Sequence, residues 1–191
     1  MLGLMVLFIL YRDERFVFDH NSNTWKYFYP VRWKLLVHAT GGATALCLGA
    51  LQFSTRLRQR HPSMHRLLGR VYIGAVLVAA PIAAYLGVVH GPRVFSAGNV
   101  VQASLWAVTT VMALLAARNR QFEVHRQWVM RSYAVTLIFV FNRILFVVPV
   151  LSRMSDANAG SVFWILIICA LLVPQLIINW RQLFAPSVPG R

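Results

Sequence analysis

Residues Leu68–Val89 read LGRVYIGAVLVAAPIAAYLGVV, a run of 22 residues interrupted by one charge, Arg70. A helix rises 1.5 Å per residue, so this run can cross a hydrocarbon core roughly 30 Å thick. Four other runs qualify: Leu35–Phe53, Val100–Ala117, Val129–Leu151 and Val162–Trp180. The repeated short alternating strands that a closed barrel needs are absent from the sequence. Composition agrees: 58% of the 191 residues are hydrophobic, 13% are charged, and the mean hydropathy is +0.59. An ordinary soluble domain carries about a quarter charged residues. These figures exclude a soluble globular domain, a disordered chain and a coiled coil. The expected class is all-α, a polytopic membrane helix bundle.

Working outward, the bundle divides into a four-helix core over residues 35–151, a fifth transmembrane helix within 152–180 and a short tail, 181–191. Residues 1–34 hold a short apolar segment, Met1–Leu10, and an aromatic-rich segment with Trp25, Tyr27, Phe28, Tyr29 and Trp33. Met1–Leu10 is half a span, followed at once by Arg12 and Arg15. It reads either as the end of a sixth spanning helix that starts upstream or as an interfacial segment. The aromatic cluster suits a membrane interface.

The formal charge is +14, from 19 Lys and Arg against 5 Asp and Glu. Set among long apolar runs, this balance points to membrane topology and lipid headgroups, not to nucleic acid. Arg56, Arg58, Arg60, Arg66 and Arg70 lie between the first two full spans, and Arg118, Arg120, Arg126 and Arg131 between the third and fourth. The positive-inside rule makes these loops and the C-terminus cytoplasmic in a cell inner membrane. Tyr11–Lys34 then faces outward. Cys47 and Cys169 sit inside apolar runs and are expected to be small core residues, not a disulfide.

The chain repeats at a period of about 60 residues: His65-Arg66-Leu67-Leu68-Gly69-Arg70-Val71-Tyr72 opens the second span and His125-Arg126-Gln127-Trp128-Val129-Met130-Arg131-Ser132-Tyr133 the fourth. The core therefore reads as two helical hairpins, with two parallel helices that each begin His-Arg. Together with His38, Gly41-Gly42, Gln52-Phe53 and Leu57-Arg58, these motifs resemble the bacterial predicted-membrane-protein family called domain of unknown function 2306, over roughly residues 35–150. That resemblance implies a polytopic helical membrane protein and brings no established activity. The layout also distantly resembles the ascorbate-reducible transmembrane cytochrome b superfamily. There, histidines on parallel helices of a four-helix core ligate b-type haem.

Ionisable groups in a bilayer are costly, so each one within a span is a candidate for function. His65 and His125 lie at matching depth on parallel helices. They can ligate haem iron across an inter-helix gap, relay protons, or anchor the helices among headgroups. His38 heads a groove formed by Gly41, Ala45, Gly49 and Gln52, which suits a haem or quinone contact or a helix-packing seam. Arg143 lies deep in the fourth span, eighteen residues after His125 and so on the same helix face, with Ser132 and Thr136 near the same line. Its guanidinium would pair with a haem propionate, a substrate anion or a lipid headgroup, or snorkel to the outer surface. Asn99, Gln102, Trp106, Thr109 and Thr110 share a face of the third span. Arg66, Arg70, Arg126 and Arg131 are candidates for headgroup or anion contact. His90, at the outer end of the second span, can pair with His38 or belong to the turn at Gly91-Pro92, and the turn is the expected place.

Three functional classes remain. A redox carrier would hold a b-type haem or a quinone between helices. A non-catalytic or transport protein would bind an anion or anionic lipid through Arg143 and the arginine-rich face, with a homodimer as one route to a pathway. A membrane enzyme acting on a lipid or isoprenoid would need His38 or His125 as general acid or base. No Cys-x-x-Cys-His, Walker loop, dinucleotide-binding glycine motif or His-Glu-x-x-His motif is present in the sequence.

Overall fold

The computed structural model describes residues 23–147 and 154–184, and within them every side chain except those of 24, 143–147 and 181–183. The short apolar segment Met1–Leu10, His20, the side chain of Arg143 and the tail from 185 onward lie outside the described residues.

Every element described is helical. In chain order they are α1 (Asn23–Phe28), a 3-10 turn (Tyr29–Val31), α2 (Arg32–Gln52), α3 (Thr55–Arg60), α4 (Pro62–Val89), α5 (Arg93–Arg118), α6 (Phe122–Val147) and α7 (Asp156–Phe184). Helices α2, α4, α5 and α6 form the core: each packs on the next in sequence, and α6 returns to α2. Helix α7 packs against α5 and α6 from outside. Among the described residues, four helical stretches are long and apolar enough to cross a membrane: Trp25–Gln52, Pro62–Val89, Arg93–Arg118 and Asp156–Trp180. Helix α6 holds the fourth expected span, with Glu123, Arg126, Arg131 and Arg143 along its sequence.

The helices reach beyond the apolar runs because local chemistry sets their ends. Pro62 starts α4, where a missing N–H costs nothing. Ser54 accepts a bond from the Leu57 amide at 3.2 Å and so caps α3. The segment carrying Arg56, Arg58 and Arg60, read from sequence as a loop, is thus a short helix. Between α5 and α6 the chain turns through Arg120, whose φ of 59° is left-handed. The Gln121 amide bonds back to Ala116 O at 2.9 Å and that of Arg120 to Ala117 O at 3.1 Å, closing the helix end.

The interior is mostly apolar, around Val76, Ala79, Val135 and Ile138, and the exterior is apolar as well. The fully or nearly buried side chains include Ser132, Thr109, Thr110 and Thr136, whereas Leu, Val, Ile, Trp and Phe side chains cover the exterior, above all on α7. Large apolar surface facing outward on α2, α4, α5, α6 and α7 is what a lipid solvent requires. Cys47 and Cys169 are unpaired and lie on this exposed surface, which corrects their expected place in the core.

Small residues allow close helix approach. A Cβ on Gly41 would stand 2.9 Å from Ala79 Cβ, so α2 and α4 nearly touch there. A Cβ on Gly49 would stand 2.4 Å from Tyr133 Cδ2 and 3.0 Å from Tyr72 Cε2, whereas one on Gly42 would meet nothing within 4 Å. Gly49→Ala is therefore expected to lower stability by about 1–3 kcal/mol through overpacking, and Gly42→Ala to leave it equal or higher. Thermal unfolding of the two variants in detergent checks this; equal melting temperatures would contradict the seating of both tyrosine rings on Gly49.

Candidate ligand cavity and imidazole pair

The centre of the bundle is a hydroxyl cluster. Tyr72 of α4 and Ser132 of α6 share a hydrogen bond of 2.7 Å, and Ser132 shares another of 2.7 Å with Thr110 of α5. Trp106 Nε1 donates to Thr136 Oγ1 at 2.9 Å, and Tyr72 OH lies 3.3 Å from the same oxygen. Thr110 also donates to Trp106 O at 2.7 Å and Thr136 to Ser132 O at 3.0 Å. Tyr72, Trp106, Thr110, Ser132 and Thr136 are all at most 7% exposed. The stripe expected on the third and fourth spans thus turns inward at these positions. Tyr72 enters it from α4, at the place in the repeat that Ser132 occupies in α6.

That bond fixes the facing of the two histidines. His65 precedes Tyr72, and His125 precedes Ser132, by seven residues in each case. Seven residues are nearly two turns, or about 10.5 Å along the helix. Both imidazoles therefore sit on the faces that meet at the bundle centre, toward the arginine-rich end. His125 Nδ1 donates to Ala113 O at 2.8 Å, which leaves Nε2 as the lone-pair nitrogen of the neutral ring. His65 is half-buried and lies close enough to Arg58, His125 and Arg66 to feel their charge. Its Nδ1 and Gln52 Nε2 are buried without a hydrogen-bond partner among the described residues.

At the opposite end, a cavity of about 540 Å³ opens between α2, α4, α5 and α6. His38, Asn99, Gln102 and Asn142 supply polar groups along its wall, and Trp106 and Thr136 form the edge nearest the hydroxyl cluster. The remaining wall is largely apolar or aromatic, with Leu35, Leu86, Val135, Phe139 and Phe163. No Asp, Glu, Lys or Arg is among the described residues lining it. His38 Nδ1 donates to Ala79 O at 3.1 Å, and its ring meets Phe139 edge-on with centroids 6.5 Å apart.

Helix α1 reaches the cavity mouth. Tyr27 and Phe28 line it, and Tyr27 is tied to the end of α4 by two bonds. Its hydroxyl donates to His90 O, and His90 Nε2 donates to Tyr27 O at 2.6 Å. His90 thus sits at the turn, as expected, but its partner is Tyr27. Sequence reading missed that pair and Asn142. The aromatic cluster before the first span gave the signal for Tyr27, but no motif marks Asn142.

The arginines expected to meet headgroups are exposed for Arg66, Arg70 and Arg126. Arg126 lies 3.7 Å from Glu123. Arg131 is committed within the protein: it donates to Gln175 Oε1 on α7 at 2.7 Å and stacks over Trp128 with 4.8 Å to the ring centroid.

A family model described as "Predicted membrane protein (DUF2306)" matches residues 35–181. The chain belongs to that family. The DUF2306 match takes in α7 as well as the four-helix core, a longer reach than the motifs suggested. No curated protein and no solved structure matches the chain. The cytochrome b resemblance has no support among these comparisons, and among the described residues no cluster of three or more His, Cys, Asp or Glu side chains could hold a metal ion.

The hydroxyl cluster makes a quantitative expectation. In a double-mutant cycle, Tyr72→Phe and Ser132→Ala should show a coupling of about 0.6–1.7 kcal/mol, the range for interhelical hydrogen bonds in membranes. Reversible unfolding in mixed micelles measures it, and strictly additive losses would dissociate the two groups.

Proposed function

We propose that this protein is a membrane-embedded binder of a neutral amphipathic molecule of the quinone class. The observation that carries the reading is the cavity: about 540 Å³, bounded by an apolar and aromatic wall, with His38, Asn99, Gln102 and Asn142 as polar lining. That volume lies within the roughly 300–1,000 Å³ of small-molecule sites, which share this pattern of apolar lining and few polar groups. The amide, imidazole and aromatic groups of the described wall suit an uncharged ligand that carries hydrogen-bond acceptors. A quinone head is flat and uncharged and carries two carbonyl acceptors. Gln102, Asn99 or Asn142 amides can donate to them, while Phe139, Trp106 and Phe163 offer aromatic contact. A prenyl tail is compatible with lipid on all sides of the bundle.

Held there, a quinone would supply two-electron, two-proton redox chemistry; the residues of this chain bind it, orient it and keep water away. Of the ligands considered from sequence, the quinone suits this cavity better than haem. Among the described residues of this wall, His90 is the imidazole besides His38, and it is engaged with Tyr27. The positive-inside rule, applied to the arginine-rich end, puts the cavity on the outer side of a cell inner membrane.

Trp106 borders the cavity, so its fluorescence reports occupancy. A short-tailed ubiquinone analogue should quench the purified protein saturably. Gln102→Leu or His38→Leu should raise the apparent Kd roughly tenfold, the loss of about 1.4 kcal/mol. Quenching that persists unchanged in Trp106→Phe, or that ignores both cavity variants, would reject the site.

A further inference from the structure

The arginine-rich end holds a second cluster, independent of the cavity. Gln52 closes α2 and His65 stands in the first turns of α4. Gln52 Oε1 lies 3.3 Å from where a Cβ on Gly69 would stand, which sets its carboxamide against the stretch of α4 one turn beyond His65. Gln52 Nε2 and His65 Nδ1 are the two buried side-chain nitrogens without a partner among the described residues. Both can donate, since an amide nitrogen always does and an imidazole nitrogen does in one tautomer.

The charges around them have one sign. Arg58, at the exposed face of α3, and Arg66, next to His65, act on this imidazole together with His125. Arg66 has a long contact of 3.4 Å to Ser63 Oγ. The acid described at this end, Glu123, is 71% exposed and lies by Arg126. Unpaired donors beside guanidinium groups, with Glu123 as the acid described at this end and turned to Arg126, match an oxygen-rich anion. A tetrahedral oxyanion presents acceptors in several directions, which suits donors arriving from α2, α3 and α4. Guanidinium groups bind such oxygens with strong, charge-assisted bonds.

We propose that Gln52, Arg58, His65 and Arg66 form a binding site for a phosphate group, with phosphate oxygens accepting from Gln52 Nε2 and His65 Nδ1 and the two guanidinium groups balancing its charge. The phosphate belongs either to a lipid headgroup, since the site lies at the end of the spanning helices, or to a free phosphate.

The test uses the full chain in non-ionic detergent, with inorganic phosphate titrated against chloride at matched ionic strength and the melting temperature as readout. In parallel, the protein is held in bilayer discs of phosphatidylcholine with or without phosphatidylglycerol, and bound lipid is counted by native mass spectrometry. A saturable rise with phosphate, or retained phosphatidylglycerol, supports the site when Arg58→Ala and Gln52→Met each weaken it roughly tenfold and Arg93→Ala, at the exposed opposite end of the bundle, leaves it unchanged. Arg58 is exposed, so its variant is expected to fold even if Gln52→Met does not. A strong response to inorganic phosphate assigns the free anion as source, and retained phosphatidylglycerol assigns the headgroup. Equal effects of phosphate and chloride together with no retained phosphatidylglycerol, or equal losses in Arg58→Ala and Arg93→Ala, overturn the proposal. So does a Soret band on haem titration that requires His65 and His125 in a protein indifferent to both phosphate and phosphatidylglycerol.

Discussion

The bond between Tyr72 and Ser132 is the constraint on which the rest of the structure depends. It joins α4 to α6 across the bundle centre at repeat-equivalent positions sixty residues apart. In water such a bond would compete with solvent. In a lipid core the hydroxyls have no alternative but one another or a helix carbonyl, so four of them gather from three helices. Once Tyr72 and Ser132 face each other, helical periodicity sets everything above and below. His65 and His125 must face inward at one end, while Thr136 and Trp106 border the cavity toward the other.

The same lipid solvent explains why the class and the span positions were legible in the sequence. Apolar length is a requirement imposed by the bilayer and written along the chain, so Leu68–Val89 announces α4 without reference to any neighbour. The inward faces of α5 and α6 were readable too, because Thr109, Thr110, Ser132 and Thr136 recur at helical spacing among apolar residues. The ends were less readable. Ser54 turns an arginine-rich stretch into α3 through a single side-chain cap, and Arg120 closes α5 with a left-handed backbone that its side chain does not advertise.

The functional positions divide in the same way. His38, Gln102 and Asn99 stood out as polar residues in apolar runs, and all three line the cavity. The pairing of Tyr27 with His90 joins residues 63 apart through backbone carbonyls, so no residue pattern encodes it. Gln52 was visible as one polar residue on the α2 groove. Its significance comes from an unsatisfied amide nitrogen, a property of packing and not of spacing. Cys47 and Cys169 show the reverse error. Burial in an apolar run suggests a core only when the solvent is water; in lipid the exterior is equally apolar, and small residues face it without penalty.

Charge separates the two ends chemically. The described cavity wall offers dipoles and aromatic faces, which stabilise neutral polar groups and leave an ion poorly solvated. The arginine-rich end offers fixed positive charge and two unpaired donors, which stabilise an anion and repel a cation. The hydroxyl cluster between them is fully hydrogen-bonded and tightly packed, with Ser132 and Thr110 at 1% and 0% exposure. A molecule bound at one end therefore meets a closed layer, not a continuous channel, on the way to the other. Tyr72 touches this layer from the helix that also carries His65, while α2 carries both His38 and Gln52, so the two ends share continuous helices.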